Sequence, residues 1–557
     1  MFLELSGFPL VLLSIIAFVI IIGLIITIHE AGHFFLSKRA GILCHEFSIG
    51  MGPVIFHKQF NETKFCIRAI PIGGFVSMAG EDNTEELIKP GDEIGINLEN
   101  DLVSEIILDD KRECQIRGKV VNIDLYGKNG EELYVSLDTG IQNEYYVVKR
   151  NALFIFEHNK SLQITPYDRC FESKSILDRF LSIFAGPFMN FVLALFIYII
   201  VAFATGVPNY NDNTIGSVGD YMPATSILQE GDKITKVGDA SISTWEEFSL
   251  ELDKLYEKNI TTIDLTIERD NETKKVTLDT IVYIVSIGLS NIQAEESMPE
   301  GISGLRVGNT AIRYQSSEGN LSNGDIINHI YATDYYTNEV IYNESVDSWS
   351  RLMEIFKSID VANVQFGYYH LKEANLDLND PNSFEYVPYE NCKVIEPYTN
   401  EVLDNQRLEK IQQKIGVSPN SHFDFFGCLG QAFVNFWDDF SLIFRTLKLL
   451  IAPSGVRQVG VNDLSGFVGI FSMIESYIGA GFLALMSFTA LLSVNIGVMN
   501  LLPIPALDGG RLVFLLIELI TRKKPSKKVE NMINNIFFIL LMILFVYITI
   551  HDIIRLF

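Results

Sequence analysis

His29, Glu30 and His33 stand in the stretch "GLIITIHEAGHFFLSK", residues 23–38, at the end of an apolar run. Histidines four apart leave the same face of a helix, here with a glutamate beside them. Two imidazoles so placed can ligate zinc, and the carboxylate can take a proton from an attacking water. The run leading to them, Leu5–Ile28, is uncharged and at 24 residues can span a bilayer. Ionisable groups at such a depth are costly and point to function. The plainer alternative is a histidine pair that marks where a helix meets water, and H-E-x-x-H also arises by chance. A second group bears on the choice. Asp508 lies in "NLLPIPALDGG", Asn500–Gly510, where another apolar run, Ile478–Leu502, ends at Pro503 and Pro505. Alone it would be an ordinary acid in a D-G-G turn. At the depth of the two histidines it can complete a His₂Asp set that leaves a fourth position open for water.

The elements that would position these groups are membrane spans. Among the 557 residues 48% are hydrophobic, yet the net charge is −26, which implies segregation of membrane and soluble parts. Four runs are long and apolar enough to cross: Leu5–Ile28, Phe180–Val207, Ile478–Leu502 and Met532–Ile550. Lys38 and Arg39 follow the first, Lys174 and Arg179 precede the second, and "RKKPSKK", Arg522–Lys528, lies between the third and fourth. The positive-inside rule then places the N-terminus outside, residues 38–175 inside, 209–475 outside and 511–530 inside. Spans one and three run in the same direction, so His29, His33 and Asp508 meet near the inner face. Glu4, in place of a basic cluster, and the length of the first run argue against a cleaved leader. Residues 211–430 carry about −20 of the charge, which excludes nucleic acid as a partner. The six cysteines contain no C-x-x-C pair and indicate neither a thiolate metal site nor a disulfide framework.

Further stretches carry weaker signals. "CIRAIPIGGFVSM" has strand formers broken by Gly73 and Gly74, a hairpin pattern. Within a membrane cavity its edge could pair with an unwound substrate; it could equally be a plain cytosolic hairpin. Strand-like patches "GEELYVSL" and "NEYYVVKR" mark a β-rich insert. "LQEGDKI" followed by "ISTWEEF" repeats weakly as "LSNGDII" followed by "VDSWSRL", with Thr244 and Ser348 as helix caps. This order is characteristic of PDZ domains, and two in tandem are expected. Their place between spans two and three suits either a size gate or a receptor for a new carboxyl end. Cys428–Leu450 is amphipathic, for the membrane surface, for docking on the spans, or for packing on the neighbouring domain.

"HEAGH" in a first span with "NLLPIPALDGG" in a later one resembles the site-2-protease family of intramembrane zinc metalloproteases. "AIPIGGFVSMAGED" (Ala69–Asp82), "AGPFMNF" (Ala185–Phe191), "ITPYDRCFESKS" (Ile164–Ser175) and "DLSGFVGI" (Asp463–Ile470) are similar to its bacterial regulator-of-sigma-E-protease branch. Phe467 replaces a proline usual in the last of these. The resemblance implies that His29, His33 and Asp508 bind Zn²⁺ and that Glu30 is the catalytic base. It further implies that Asn495 and Asn500, with Gly73 and Gly74 of a membrane-reentrant loop, hold the substrate. The expected fold is a polytopic α-helical membrane protein with four transmembrane helices, a membrane-reentrant β-hairpin, a cytosolic β-rich insert and two extracytoplasmic PDZ domains. In order these are the first transmembrane helix (1–37), the reentrant loop (38–84), the insert (85–175), the second transmembrane helix (176–208), PDZ domains at 209–300 and 301–420, and the amphipathic helix with a linker (421–475). The third transmembrane helix (476–510) and a basic loop with the fourth (511–557) complete the chain. The expected activity is an inner-membrane zinc endopeptidase acting on single-pass membrane substrates: an anti-sigma factor, a signal-peptide remnant or a pheromone precursor. A catalytically inactive PDZ scaffold with a structural zinc is the alternative, against which the intact Glu30 argues. A transporter would show inverted repeats or paired broken helices, and neither is seen.

Overall fold

The computed structural model describes residues 8–80, 87–127, 130–140, 142–156, 161–219, 222–284, 289–291, 298–308, 321–359, 361–372, 376–392, 395–399, 411–451 and 466–555. Asp463 to Ser465 of "DLSGFVGI" and Glu81 and Asp82 of the glycine-rich loop lie outside them. The helices among the described residues are α1 (Phe8–Arg39), α2 (Ile176–Thr205), α3 (Trp245–Glu257), α4 (Trp349–Ser358), α5 (Phe425–Ile451), α6 (Phe467–Ala480), α7 (Phe482–Leu501), α8 (Asp508–Thr521) and α9 (Lys527–Arg555). Two compact units result: Met1–Val201 with Ala432–Ile443 and Val461–Phe557, and Ala202–Gln431 with Phe444–Gly460.

In the first unit α1, α2, α7 and α9 are long and apolar enough to cross a membrane, matching the four expected runs. α1 carries "HEAGH" within its continuous length and ends with Lys38 and Arg39 in the last turn, where cations favour the helix dipole. Ile21 and Ile25 of α1 pack with Ile474 of α6 and with Phe488 and Leu492 of α7. The third run is two helices, because Gly481 takes φ 107° between α6 and α7. Residues 511–521, expected as part of a basic loop, are helical. The stretch "LVFLLIELI" is apolar except for Glu518, and the basic cluster begins only at Arg522, whose left-handed φ of 55° ends α8. On α8, Asp508, Arg511 and Glu518 are spaced three and seven apart and share a face.

β1 (Cys44–Phe60) and β2 (Thr63–Met78) form a strongly bent hairpin. Residues 44–49 pair with 74–78 on one side and with 64–67 on the other, and residues 54–60 fold back on 63–68. Met51, Val54, Ile55, Phe56, Phe60, Ile67 and Ile70 are exposed on it. The expected β-rich insert is a small barrel of β3 (Glu93–Glu99), β4 (Leu102–Ile107), β5 (Ile116–Asp124), β6 (Tyr134–Asp138) and β7 (Asn143–Ile155), with β8 (Ser161–Gln163) beside β7. Its neighbours are antiparallel, and a parallel β4–β7 pairing closes the ring around Ile96, Val103, Ile106, Val135 and Leu137. The "GEELYVSL" and "NEYYVVKR" patches supply β6 and part of β7.

The second unit holds two α/β modules, each with its own core. In one, strands 233–237, 240–241, 262–269 and 272–279 form a sheet with α3, capped by Thr244 accepting from the Glu247 amide. In the other, strands 305–306, 326–334, 340–345, 361–371, 384–387 and 395–399 accompany α4, capped by Ser348 accepting from the Arg351 amide. Both G-D-x-I turns work alike. Asp232 accepts from the Gln229 amide and pairs with Arg269; Asp325 accepts from the Ser322 amide and pairs with His370. The modules are not sequential as the 209–300 and 301–420 division has it. Residues 417–419 pair with 215–218, and Ile415 joins the first core, so the chain returns after building the second module. Backbone groups of residues 215–218 need that partner.

Candidate active site

α1, α2, α8 and the inner edge of β2 enclose a cavity of about 190 Å³ lined by His29, Glu30, His33, Gly74, Phe75, Val76, Met78, Ile183, Ala506, Leu507, Asp508 and Arg511. Helical spacing puts His29 and His33 side by side, and their Nε2 atoms are 3.2 Å apart. Asp508 arrives from α8. Its Oδ2 stands 3.2 Å from His29 Nε2 and 3.3 Å from His33 Nε2, is buried, and meets the geometry of a hydrogen bond with neither. Ligand bonds of about 2.0–2.1 Å in a tetrahedron put neighbouring donor atoms about 3.3 Å apart. Three donors at that mutual spacing, one of them an orphaned carboxylate oxygen, fit a single zinc ion.

The two walls are built differently. α1 can approach α2 this closely because each helix has a glycine at the contact. A Cβ on Gly32 would lie 2.3 Å from the Ala185 carbonyl oxygen, and a Cβ on Gly186 2.2 Å from His33 Nε2. α2 in turn holds the histidines from behind. Ser182 O lies 2.8 Å from His33 Nδ1, which therefore donates to it and keeps Nε2 bare. The α8 wall is held from further away. Arg179 of α2 donates to both Glu518 oxygens at 2.9 and 2.7 Å, a buried bidentate pair 339 residues apart in sequence. Ala506 just before α8 takes φ 75°, with its amide donating to Asn534 of α9. That left-handed alanine is local strain beside the site.

Gly74 rests against Glu30: an added Cβ would meet Glu30 Cγ at 3.1 Å and Ser48 O at 2.9 Å. Glycine thus lets the strand edge pass next to Glu30. The structure brings together His29, Glu30, His33, Asp508 and Gly74. Gly73, with φ 88°, lies beside Met51 and is not among the residues lining this cavity. Asn495, exposed on α7, and half-buried Asn500 are not among them either. Arg511 was not foreseen, although its place three residues after Asp508 on one helix was signal enough. Asn190 and Ser182, inside or just before "AGPFMNF", had no signal of their own. α5 packs on α2 over residues 432–443: Phe191 meets the rings of Phe436 and Phe440 at 6.1 and 5.8 Å, and Tyr198 donates to Asp439.

A family model described as Peptidase family M50 matches residues 17–544. A relative in Staphylococcus aureus (strain N315) is 31% identical over 551 residues, covering 98% of this chain and 99% of its own. "Zinc metalloprotease RasP" of Oceanobacillus iheyensis is 29% identical, and "Regulator of sigma-W protease RasP" of Bacillus subtilis (strain 168) 28%, with the same coverage of both chains. Among solved structures, the PDZ domain of an SdrC-like protein from Listeria monocytogenes matches 14% of this chain and 76% of its own, at 22% identity and TM-score 0.12.

Proposed function

The chain belongs to Peptidase family M50, and we propose that it is an intramembrane zinc endopeptidase that cuts single-pass membrane proteins. The observation that carries this is the convergence of His29, His33 and Asp508 to 3.2–3.3 Å, with Glu30 lining the same cavity. His29, His33 and Asp508 would hold the metal. Zinc there supplies a Lewis acid that polarises the scissile carbonyl and acidifies the attacking water. Glu30 takes the proton from that water as its oxygen adds to the carbonyl carbon, then delivers it to the leaving amide nitrogen as the C–N bond breaks. Arg511, a cation lining the cavity, offsets negative charge that grows on the carbonyl oxygen.

Substrate must be unwound before a peptide bond can reach these groups. Residues 74–76 of β2 line the cavity, and a substrate strand laid along this edge would be held by backbone hydrogen bonds. Gly73 and Gly74 shape that edge, and Asn495 and Asn500 clamp the substrate further along. The exposed apolar residues of the hairpin support its immersion in the bilayer as a reentrant element. The basic residues beside α1, α2 and α9 support an N-terminus outside and an active site facing the cytosol of a bacterium, across its plasma membrane. The two modules of the second unit are read as extracytoplasmic PDZ domains. The Bacillus relative is named for regulating sigma-W, so a membrane-anchored regulator of a sigma factor is the substrate class to test first.

The test is purified protein in bilayers with a single-pass model substrate, the products mapped by mass spectrometry. Cleavage inside or beside the membrane segment, absent with Glu30→Gln, supports the proposal. Equal cleavage by Glu30→Gln contradicts it.

A further inference from the structure

We infer that Asn190 is a positioning residue that sets the tautomer of His29, so that the nitrogen of His29 facing Asp508 is bare; this rests on the zinc-site reading above. His29 and His33 are both backed by α2, which runs antiparallel to α1. The later histidine meets the earlier α2 residue, Ser182, and the earlier histidine meets the later one, Asn190. At His33 the α2 partner is a carbonyl, which can only accept. At His29 the partner is a carboxamide, which has one accepting and one donating end.

The Asn190 side chain is wholly buried, and its Nδ2 lies 3.4 Å from His29 Nδ1 while its Oδ1 has no hydrogen-bond partner. The two ends of a carboxamide have nearly the same shape, and the one that faces a histidine is fixed by the proton on the ring. A donating Nδ2 would leave the His29 ring proton on Nε2. That nitrogen is 3.2 Å from both Asp508 Oδ2 and His33 Nε2, so the proton would sit in the centre of the ligand set. With Oδ1 turned to His29, the ring proton moves to Nδ1, is accepted there, and Nε2 offers its lone pair to the metal. Both histidines then follow one rule: α2 supplies an acceptor behind the ring, and the bare nitrogen points at Asp508.

The asparagine is itself held. Ser493 of α7 donates to the Asn190 carbonyl oxygen at 2.8 Å, so α7 fixes the α2 backbone from which the amide reaches His29. Ser493 is buried and close in sequence to Asn495 and Asn500, the residues expected to hold substrate. The third apolar run therefore contributes to the metal site through α2, apart from any contact with substrate.

The variants that separate acceptor from donor are Asn190→Asp and Asn190→Leu, made in the full chain and purified in bilayer discs. Zinc affinity is read by competition with a chromophoric chelator, independently of peptidase activity. Asn190→Asp keeps an acceptor of the same size and should hold zinc within about threefold of wild type, whereas Asn190→Leu should weaken it by about 10–100-fold. Loss of affinity in Asn190→Asp equal to that in Asn190→Leu overturns the inference, because a donor or mere packing would then be the requirement. Wild-type affinity in Asn190→Leu overturns it as well. Should the leucine variant not insert, Asn190→Asp decides alone, retention supporting the inference and loss overturning it. A wild-type protein without stoichiometric zinc removes the zinc-site reading and this inference together; a zinc-loaded wild type beside an equally tight Asn190→Leu removes the inference only.

Discussion

The wall of the site made by α1 and α2 differs from the wall made by α8 in how its groups come to be in place. On α1, one helical turn aligns His29 and His33, and a glycine contact with α2 brings up the acceptors behind them. Every one of these relations is set by backbone geometry over a few residues or by one helix pair. On α8, Asp508 follows two prolines and a left-handed alanine, and its helix is anchored further on by a buried ion pair from Glu518 to a residue 339 positions earlier. The first wall is defined by local spacing and the second by long-range anchoring. Substitutions on the first should therefore alter chemistry with little structural change, and substitutions supporting the second should move a ligand.

Glu30→Gln gives the largest separation of chemistry from structure. It should lower peptide hydrolysis by at least about 10²–10⁴-fold, the usual worth of a general base, while one zinc per chain remains bound. Turnover of a single-pass substrate beside metal content checks this. Asp508→Ala should remove activity and also weaken zinc by more than the 10–100-fold, approximately, that an outer-shell partner is worth. On the proposed reading Asp508 is a ligand and Glu30 is not, and the metal content of the two variants reads that difference directly.

The anchoring of α8 is tested at Arg179 and Glu518. Arg179→Leu leaves Glu518 buried without its partner and should cost about 3–5 kcal/mol of stability, with zinc affinity falling as Asp508 shifts. Arg179→Leu with Glu518→Leu should recover much of that loss, since two apolar side chains leave no buried charge. Unfolding in mixed micelles follows the first quantity and chelator competition the second. A double variant as unstable as the single one would show that the pair does more than neutralise itself.

The smallest expected effect is a pH response at the root of the hairpin, which should leave both walls alone. Lys38 and Arg169 both bind Glu62, and the Arg169 guanidinium above all holds its carboxyl down at about 2. Burial, then Arg169, pushes the His45 imidazole down to about 4. The unfolded imidazole takes a proton near 6.5 and the folded one only near 4, so stability present above pH 6.5 declines as pH falls through that window. Glu62 adds the same sign lower down: its contribution is full above about 4.5 and is lost towards 2. Protection against hydrogen exchange, corrected for the intrinsic pH dependence of amide exchange, should fall at residues 44–49 and 63–67 from pH 7 to pH 5, more than in α1.

The same division governs how much could be read from the chain. His29, Glu30 and His33 were legible because four-residue spacing is a complete statement on a helix. Asp508 was legible only through span direction and its resemblance. α8 escaped because two prolines and the basic cluster around Arg522 outweighed the eight apolar residues of "LVFLLIELI" between them. Arg179 and Glu518 were each visible as charges beside apolar runs, but nothing in either segment specifies the other. The return of residues 417–419 to the first module left no trace, since a three-residue strand has no periodicity to show. Asn190 stood inside a quoted motif, and its relation to His29 emerged only from a distance.

The most direct test of a single zinc held by two distant segments is X-ray absorption at the zinc edge on the purified full chain. The expected result is one zinc per chain with only nitrogen and oxygen neighbours at about 2.0–2.1 Å, and loss of that signal in both His33→Ala and Asp508→Ala. A sulfur shell near about 2.3 Å, or an unchanged spectrum in Asp508→Ala, would contradict it.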